Sequence, residues 1–302
     1  MEFLKLYPLT FSEFLKAKNE HLYNYLNGIN SFEPLLDAVF NECLDIFKTY
    51  MICGGMPEPA LRMAETMDIF DVSKSFNQIQ TAYSFDFSKH AEKNEAVKIN
   101  YVWDAIPSQL AKENKKFVYQ TIRQGARARE YENALIWLEQ AGLIYRVPLC
   151  KKPEFPLSFY SDLSAFKIYM LDIGLLRYQT KLDPLLFKEG NRLFTEFKGA
   201  LTENYILQSL TTQFDSGFSY WTSESIAEVD LLLQYRDKIL PIEVKSSENV
   251  RSKSLAYYAK QYKPVLKIRY SLKNLEFNEG LLNIPIFLAD QTKQLVDLIP
   301  FS

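Results

Sequence analysis

Residues 228–245 read Glu-Val-Asp-Leu-Leu-Leu-Gln-Tyr-Arg-Asp-Lys-Ile-Leu-Pro-Ile-Glu-Val-Lys, and the way this stretch pairs with itself decides the fold around it. Strands are expected over Ile226–Tyr235 and Ile239–Ser246. Side chains alternate across a strand. Glu228 and Asp230 therefore share one face, with Val229, Leu231 and Leu233 on the other; Glu243 and Lys245 share a face, with Ile242 and Val244 opposite. Facing residues of an antiparallel pair keep a constant sum of numbers. An odd sum puts Asp230 on the side of Glu243 and Lys245, and an even sum turns it among the valines. A four-residue loop over Tyr235–Lys238 gives an odd sum, as does a two-residue loop, whereas a three-residue loop needs a bulge. The apolar pattern demands the odd solution, because a slip by one would bury carboxylates. Pro241 cannot donate to a ladder, so it belongs at a strand start or an edge.

Working outward, Leu193–Phe214 has the spacing of an amphipathic helix and carries Glu203. Ser254–Tyr262 reads as a helix, and Lys267–Tyr270 and Ile284–Ala289 as strands. Residues 186–302 are thus expected to form a mixed sheet flanked by helices. Two carboxylates across a strand pair suit a hard divalent cation such as Mg²⁺, which takes oxygen ligands and keeps several waters. Asp230 and Glu243 are the candidate metal ligands. The metal would acidify a bound water, and Lys245 would orient that water or neutralise charge developing on a phosphate. Glu203 would add a third carboxylate. Glu-x-Lys on a strand is by itself usually surface charge; the ordered set of helix acid, strand acid and Glu-x-Lys singles this region out.

Upstream, residues 96–185 suggest a winged-helix-like module. One helix is expected over Val97–Glu113, interrupted near Pro107, and a second over Ala128–Ala141, ended by Gly142. Leu143–Val147 and Lys167–Leu171 have β character and would pair as a wing. Arg123, Arg127 and Arg129 fall where a recognition helix meets DNA; the alternative is a helical packing unit that never touches DNA. Residues 1–95 read as a helical, lid-like segment. Phe11, Phe14 and Leu15 recur at helical spacing with Ser12 as a candidate cap, a further pattern runs over Phe32–Met51, and Gly54-Gly55-Met56-Pro57 breaks it.

The composition is that of an ordinary globular chain: 302 residues, 47% apolar, 24% charged, net charge −2. Global charge names no partner; local charge is more informative. Lys245–Lys273, which includes Lys253, holds eight basic residues and one acid, and Lys112–Glu130 holds six and two. Such stretches either grip phosphate or are solvated surface. Three scattered cysteines without C-x-x-C suggest neither disulfides nor zinc. His21 and His90 stand far apart, which disfavours histidine-based catalysis. No G-x-x-x-x-G-K-[ST] occurs, so no intrinsic ATPase activity is expected. No apolar run approaches the ~18 residues of a membrane span, and the N-terminus lacks signal-peptide features, so no membrane partner and a cytoplasmic location are expected.

Gly199-Ala200-Leu201-Thr202-Glu203, Tyr220-Trp221, Glu228-Val229-Asp230 and Ile242-Glu243-Val244-Lys245-Ser246 resemble the DUF4143 domain at the C-terminus of a family of prokaryotic AAA-type ATPases, a domain similar to the PD-(D/E)xK nuclease fold. Leu6–Leu15, Gly54-Gly55-Met56-Pro57, Gly125-Ala126-Arg127, Leu138–Ile144 and Leu171–Leu176 resemble other parts of the same family. The resemblance implies an α/β plus α architecture with a restriction-endonuclease-like sheet. It also implies that Met1 falls where an N-terminal ATPase core would end. Asp230 and Glu243 would correspond to the metal ligands, Lys245 to the catalytic lysine and Glu203 to the helix acid. Two functions are compatible with it: nucleic-acid binding with Mg²⁺-dependent phosphodiester hydrolysis, or an inactive nuclease-fold interaction module that couples to an ATPase domain or protein partner in trans.

Overall fold

The computed structural model describes residues 5–111, 116–181, 198–223, 226–245 and 253–301. Six helices come first: α1 (Phe11–Lys18), α2 (Glu20–Asn27), α3 (Asp37–Cys53), α4 (Pro57–Thr66), α5 (Ile69–His90) and α6 (Lys93–Leu110). Thr10, not Ser12, caps α1, in a capping box with Glu13. Ser12 is engaged elsewhere: its amide donates to Asp290 Oδ2 at 2.7 Å and its hydroxyl accepts from Gln291. Asp290, half-buried, accepts from a second donor too, the Ser209 hydroxyl at 2.6 Å. The N-terminal helices are thereby fastened to the C-terminal end of the chain. The interruption expected at Pro107 does not occur. Pro107 lies in the last turn of α6, where its missing donor costs a single bond, and its own carbonyl still accepts from Ala111.

After α7 (Ala128–Gln140) come β1 (Ile144–Cys150), β2 (Ser161–Met170), α8 (Ile173–Gln179), α9 (Lys198–Thr211), β3 (Phe218–Thr222), β4 (Glu228–Tyr235) and β5 (Lys238–Val244). Then follow α10 (Lys253–Tyr262), β6 (Lys267–Ser271), β7 (Glu276–Asn278), β8 (Leu281–Pro285) and α11 (Thr292–Asp297). The part of the expected Leu193–Phe214 helix before residue 198 lies outside the described residues. The strand expected over Ile284–Ala289 is placed earlier: β8 ends at Pro285, and Ile286–Gln291 forms a 3-10 turn.

Among the described residues, eight strands join one mixed sheet in the order β2-β1-β3-β4-β5-β6-β8-β7. β1 and β2 pair antiparallel as expected of a wing, yet β1 also runs parallel to β3 through Leu149 and Tyr220, so the pair is continuous with the rest of the sheet. α9 packs on β2 and β5, and α10 on β4 and β5. The main core takes Leu201, Ile206 and Leu210 of α9 together with Leu231, Leu233, Ile242 and Val244. A smaller cluster on the α10 side holds Trp221, Val229, Leu232 and Tyr258.

The two glycine-containing motifs meet in a buried joint. Asp172 caps α8, its Oδ1 accepting from the Leu175 amide and its Oδ2 from the Gly55 amide at 2.7 Å. Gly54 has φ +61°, and a Cβ there would lie 2.4 Å from Asp172 Oδ1; a Cβ on Gly174 would meet the Cys53 backbone at 2.6 Å. Arg177, also buried, donates to the Ile52 carbonyl. The Gly-Gly turn therefore holds α3 against α8, its amides donating to Asp172 Oδ2 and the Tyr50 carbonyl.

Candidate functional site at the fork between β4 and β5

The hairpin that decides the fold has the odd sum. Leu231 faces Ile242, Leu233 faces Leu240 and Tyr235 faces Lys238. The loop is the two-residue Arg236-Asp237, shorter than the four-residue option, with Arg236 at φ +54°. Pro241 is tolerated because the parallel contact of β5 with β6 starts only at Ile242, so no ladder donor is required of it on that side.

Extending this register puts Asp230 across from Glu243, but the described β4–β5 ladder stops at Leu231 and Ile242. There the strands part. β4 stays with β3, where Thr222 faces Glu228, and β5 stays with β6, where the Lys245 amide donates to the Tyr270 carbonyl at 2.8 Å. Asp230 sits in the fork, and its Oδ2 accepts from the Val244 amide at 2.8 Å.

A bulge aims it there. Between Ser219 and Trp221 the β3–β4 register shifts by one, so that Asp230 and Leu231 together stand opposite Tyr220. A bulge breaks the alternation of side chains. Val229 accordingly packs with Leu232 on the α10 side and not with Leu231 and Leu233 as strict alternation expects. The bulge is the physical reason for that correction.

Charged groups gather on both sides of Asp230. On the α9 side, Lys167 is completely buried and its Nζ lies 2.5 Å from Glu228 Oε1 and 4.9 Å from the centre of the Tyr220 ring. Burial alone would push its ammonium down, but the Glu203, Glu228 and Asp230 carboxylates together outweigh that and hold it up at about 12. Tyr169, two residues on and on the same face, donates to Glu203 Oε2 at 3.2 Å. Burial raises its hydroxyl pKa, and the Glu203 and Asp230 charges raise it further. Next to Glu203 on α9, Asn204 clamps both the amide and the carbonyl of Met170, fixing helix to strand.

On the other side, Glu243 alternates with the core residues Ile242 and Val244 and is 3% exposed. Its Oε1 lies 2.9 Å from Lys245 Nζ. Its Oε2 is buried and, among the described residues, has no hydrogen-bond partner. Arg269 stands beside it on β6 and donates to Asn283 at 2.8 Å. Burial lowers the pKa of that guanidinium, opposed by the Glu243 charge.

The structure therefore brings Glu243 and Lys245 together, sets Lys167 against Glu228 and Tyr169 against Glu203, and ties Asp230 to the Val244 amide next to Glu243. Lys253 is exposed at the start of α10, next to Ser254, whose hydroxyl accepts from the Glu228 amide at 3.3 Å. Arg123, Arg127 and Arg129 are exposed around the start of α7, which packs on β1, not on β4 and β5. Sequence reading missed Lys167, Tyr169 and Arg269. The available signal was Lys167 itself, a lone charge inside the otherwise apolar run Ala165–Leu171; such a lysine needs an acidic partner.

Residues 198–288 match the family described as Domain of unknown function (DUF4143). The DUF4143 stretch runs from α9 to the 3-10 turn after β8, so it contains Glu203, Asp230, Glu243 and Lys245. Lys167 lies upstream, within residues 44–186, which match the family described as Domain of unknown function (DUF8612). No curated protein matches the chain, and no solved structure does.

As a test of a divalent ion, the donor set is mixed. Among the described residues no group of three or more His, Cys, Asp or Glu is arranged to hold a metal. Mg²⁺ needs less: one or two carboxylates, with water and substrate phosphate completing its shell. Glu243, whose Oε2 is unpaired among the described residues, is a carboxylate of the kind such an ion takes.

Proposed function

We propose that the chain binds nucleic acid and hydrolyses phosphodiester bonds at the β4–β5 fork with the help of Mg²⁺. The observation that carries this reading is the buried Oε2 of Glu243, unpaired among the described residues, beside Lys245 and, by extension of the β4–β5 register, opposite Asp230. Burying a carboxylate oxygen without a partner is costly, and a hard cation would satisfy it. Asp230 and Glu243 would hold the ion, which supplies Lewis acidity and an acidified water. Lys245 would place its ammonium against the scissile phosphate, and Glu203 would act through Tyr169 and Lys167 to set the charge around Asp230. Lys253, at the rim, and the arginines before α7 would contact backbone phosphate.

A second reading, a nuclease-fold interaction module that couples to an ATPase partner, draws support from the two lysines, since the Lys167–Glu228 and Lys245–Glu243 pairs already neutralise much of the carboxylate charge. Nicking of supercoiled DNA in Mg²⁺ by wild type, Asp230→Asn and Lys245→Ala separates the two. Hydrolysis expects nicking by wild type only, abolished by EDTA. Equal nicking by all three, or none by any, removes the catalytic reading.

A further inference from the structure

We propose that the outer face of α10 and the connection between β1 and β2 form a stacking platform for an unpaired nucleic-acid strand, with Tyr257 and Phe159 as the rings that take its bases. The inference rests on the nucleic-acid reading above and narrows its substrate to single strands. Lys253, Tyr257 and Lys260 are spaced four and three residues apart on α10, which sets them on one helix face. All three are exposed. Residues 253–263 hold three lysines, the third being Lys263, and no acid, so this surface suits a polyanion. Tyr257 is 38% exposed, and its ring stacks on buried Trp221 with centroids 6.2 Å apart and planes at 29°. Trp221 is in turn held edge-on by Tyr258 and Tyr262. A ring fixed in this way loses little freedom when a base settles on it.

The β1–β2 connection borders the same small core through Leu157 and Tyr160. The Leu157 amide donates to Gln234 Oε1 at 2.9 Å, which ties this segment to β4. Phe159 is 80% exposed, its ring edge-on to Tyr160 at 5.4 Å between centroids. Lys152 Nζ lies 5.7 Å from the centre of the Tyr160 ring. Lys151 and Lys152 pair with Asp162 and Glu154, but both lysines are largely exposed, and surface pairs of this kind are weak enough to yield to a phosphate. Rings open to solvent beside lysines match a single strand, whose bases stack while its phosphates meet the ammonium groups. A duplex keeps its base faces inside its own stack and offers such rings nothing. α10 begins beside the fork, where the Ser254 hydroxyl accepts from the Glu228 amide, so a strand lying along Lys253, Tyr257 and Lys260 runs out from that site.

The test is fluorescence anisotropy of the full chain in EDTA with two labelled probes, an oligothymidine strand of about 15 nucleotides and a duplex of the same length. Wild type is expected to bind the strand more tightly than the duplex. Phe159→Ala and Tyr257→Ala should each weaken strand binding at least about fivefold and leave duplex binding unchanged, and Tyr257→Phe, which keeps the ring, should bind as wild type does. Lys260→Ala should flatten the log–log salt slope for the strand by about 0.7. Strand affinity that Phe159→Ala and Tyr257→Ala leave unchanged overturns the platform, and so does an equal loss on both probes. Duplex binding by wild type in the same titration then leaves the nucleic-acid reading standing, whereas binding of neither probe removes both. Should Tyr257→Ala fail to fold, Phe159→Ala decides, because that ring lies in solvent. If sedimentation shows that Phe159→Ala splits a wild-type dimer without changing strand affinity, the exposed rings serve a protein contact and the proposal is overturned.

Discussion

The carboxylate of Asp230 takes the backbone amide of Val244 at 2.8 Å, so the residue proposed as a metal ligand also closes the end of the β4–β5 ladder. Structure and chemistry are separable here by choice of substitution. Asp230→Asn keeps an acceptor oxygen for Val244 and removes the charge, so stability in urea should stay close to wild type while Mg²⁺-dependent nicking is lost. Asp230→Ala leaves the amide unpaired and should cost about 1–3 kcal/mol. Equal destabilisation by both would show that the charge, not the hydrogen bond, matters to folding.

Asp172 gives the chain a pH-dependent term. Burial, opposed by the Gly55 and Leu175 amides, raises its folded pKa to about 6, above an ordinary unfolded value of about 3.9. Its contribution to stability is therefore fully present below about pH 4 and is lost as pH rises through about 6, an effect on the order of 2–3 kcal/mol. Urea midpoints across that window should show this slope once other groups are subtracted, and Asp172→Asn should abolish it. That variant should also be weaker at every pH, because an amide can accept at only one of the two positions that now accept from Gly55 and Leu175.

Two glycines with positive φ should respond very differently to alanine. At Gly54 the backbone (φ +61°, ψ −162°) lies in a region essentially reserved for glycine, and the new Cβ would meet Asp172 at 2.4 Å. Gly54→Ala should cost more than about 3 kcal/mol, since strain and overpacking add. At Gly125 (φ +80°) nothing lies within 4 Å, so only backbone strain of about 1–2 kcal/mol is expected. Thermal unfolding of the two variants side by side checks the contrast.

If Arg123, Arg127 and Arg129 meet DNA phosphates, affinity must fall as salt rises. Replacing all three by alanine should weaken binding across sequences and flatten the log–log salt slope by about one per lost contact. These side chains are exposed, so stability should barely change. A slope identical to wild type would take α7 out of the interface.

Local pattern and turn chemistry were readable in the chain. Alternation in Glu228–Tyr235 and Lys238–Val244, with the cost of burying carboxylates, was enough to demand the odd register, and helical spacing was enough to place α7 and α10. The reading went astray where tertiary demands overrode local ones. Thr10 caps α1 while Ser12 is engaged by half-buried Asp290, and Ile286–Gln291 forms a 3-10 turn that packs beside α9.

Sequence alone thus determined that Asp230 and Glu243 belong to adjoining strands paired in the odd register, because alternation and register are short-range consequences of backbone geometry. Only the tertiary structure decided that a bulge turns Asp230 into the fork, that β1 and β2 continue the sheet, and that buried Lys167 pairs with Glu228, 61 positions after it in the numbering. A buried lysine's partners are set by how distant elements pack, and no period within the chain encodes that.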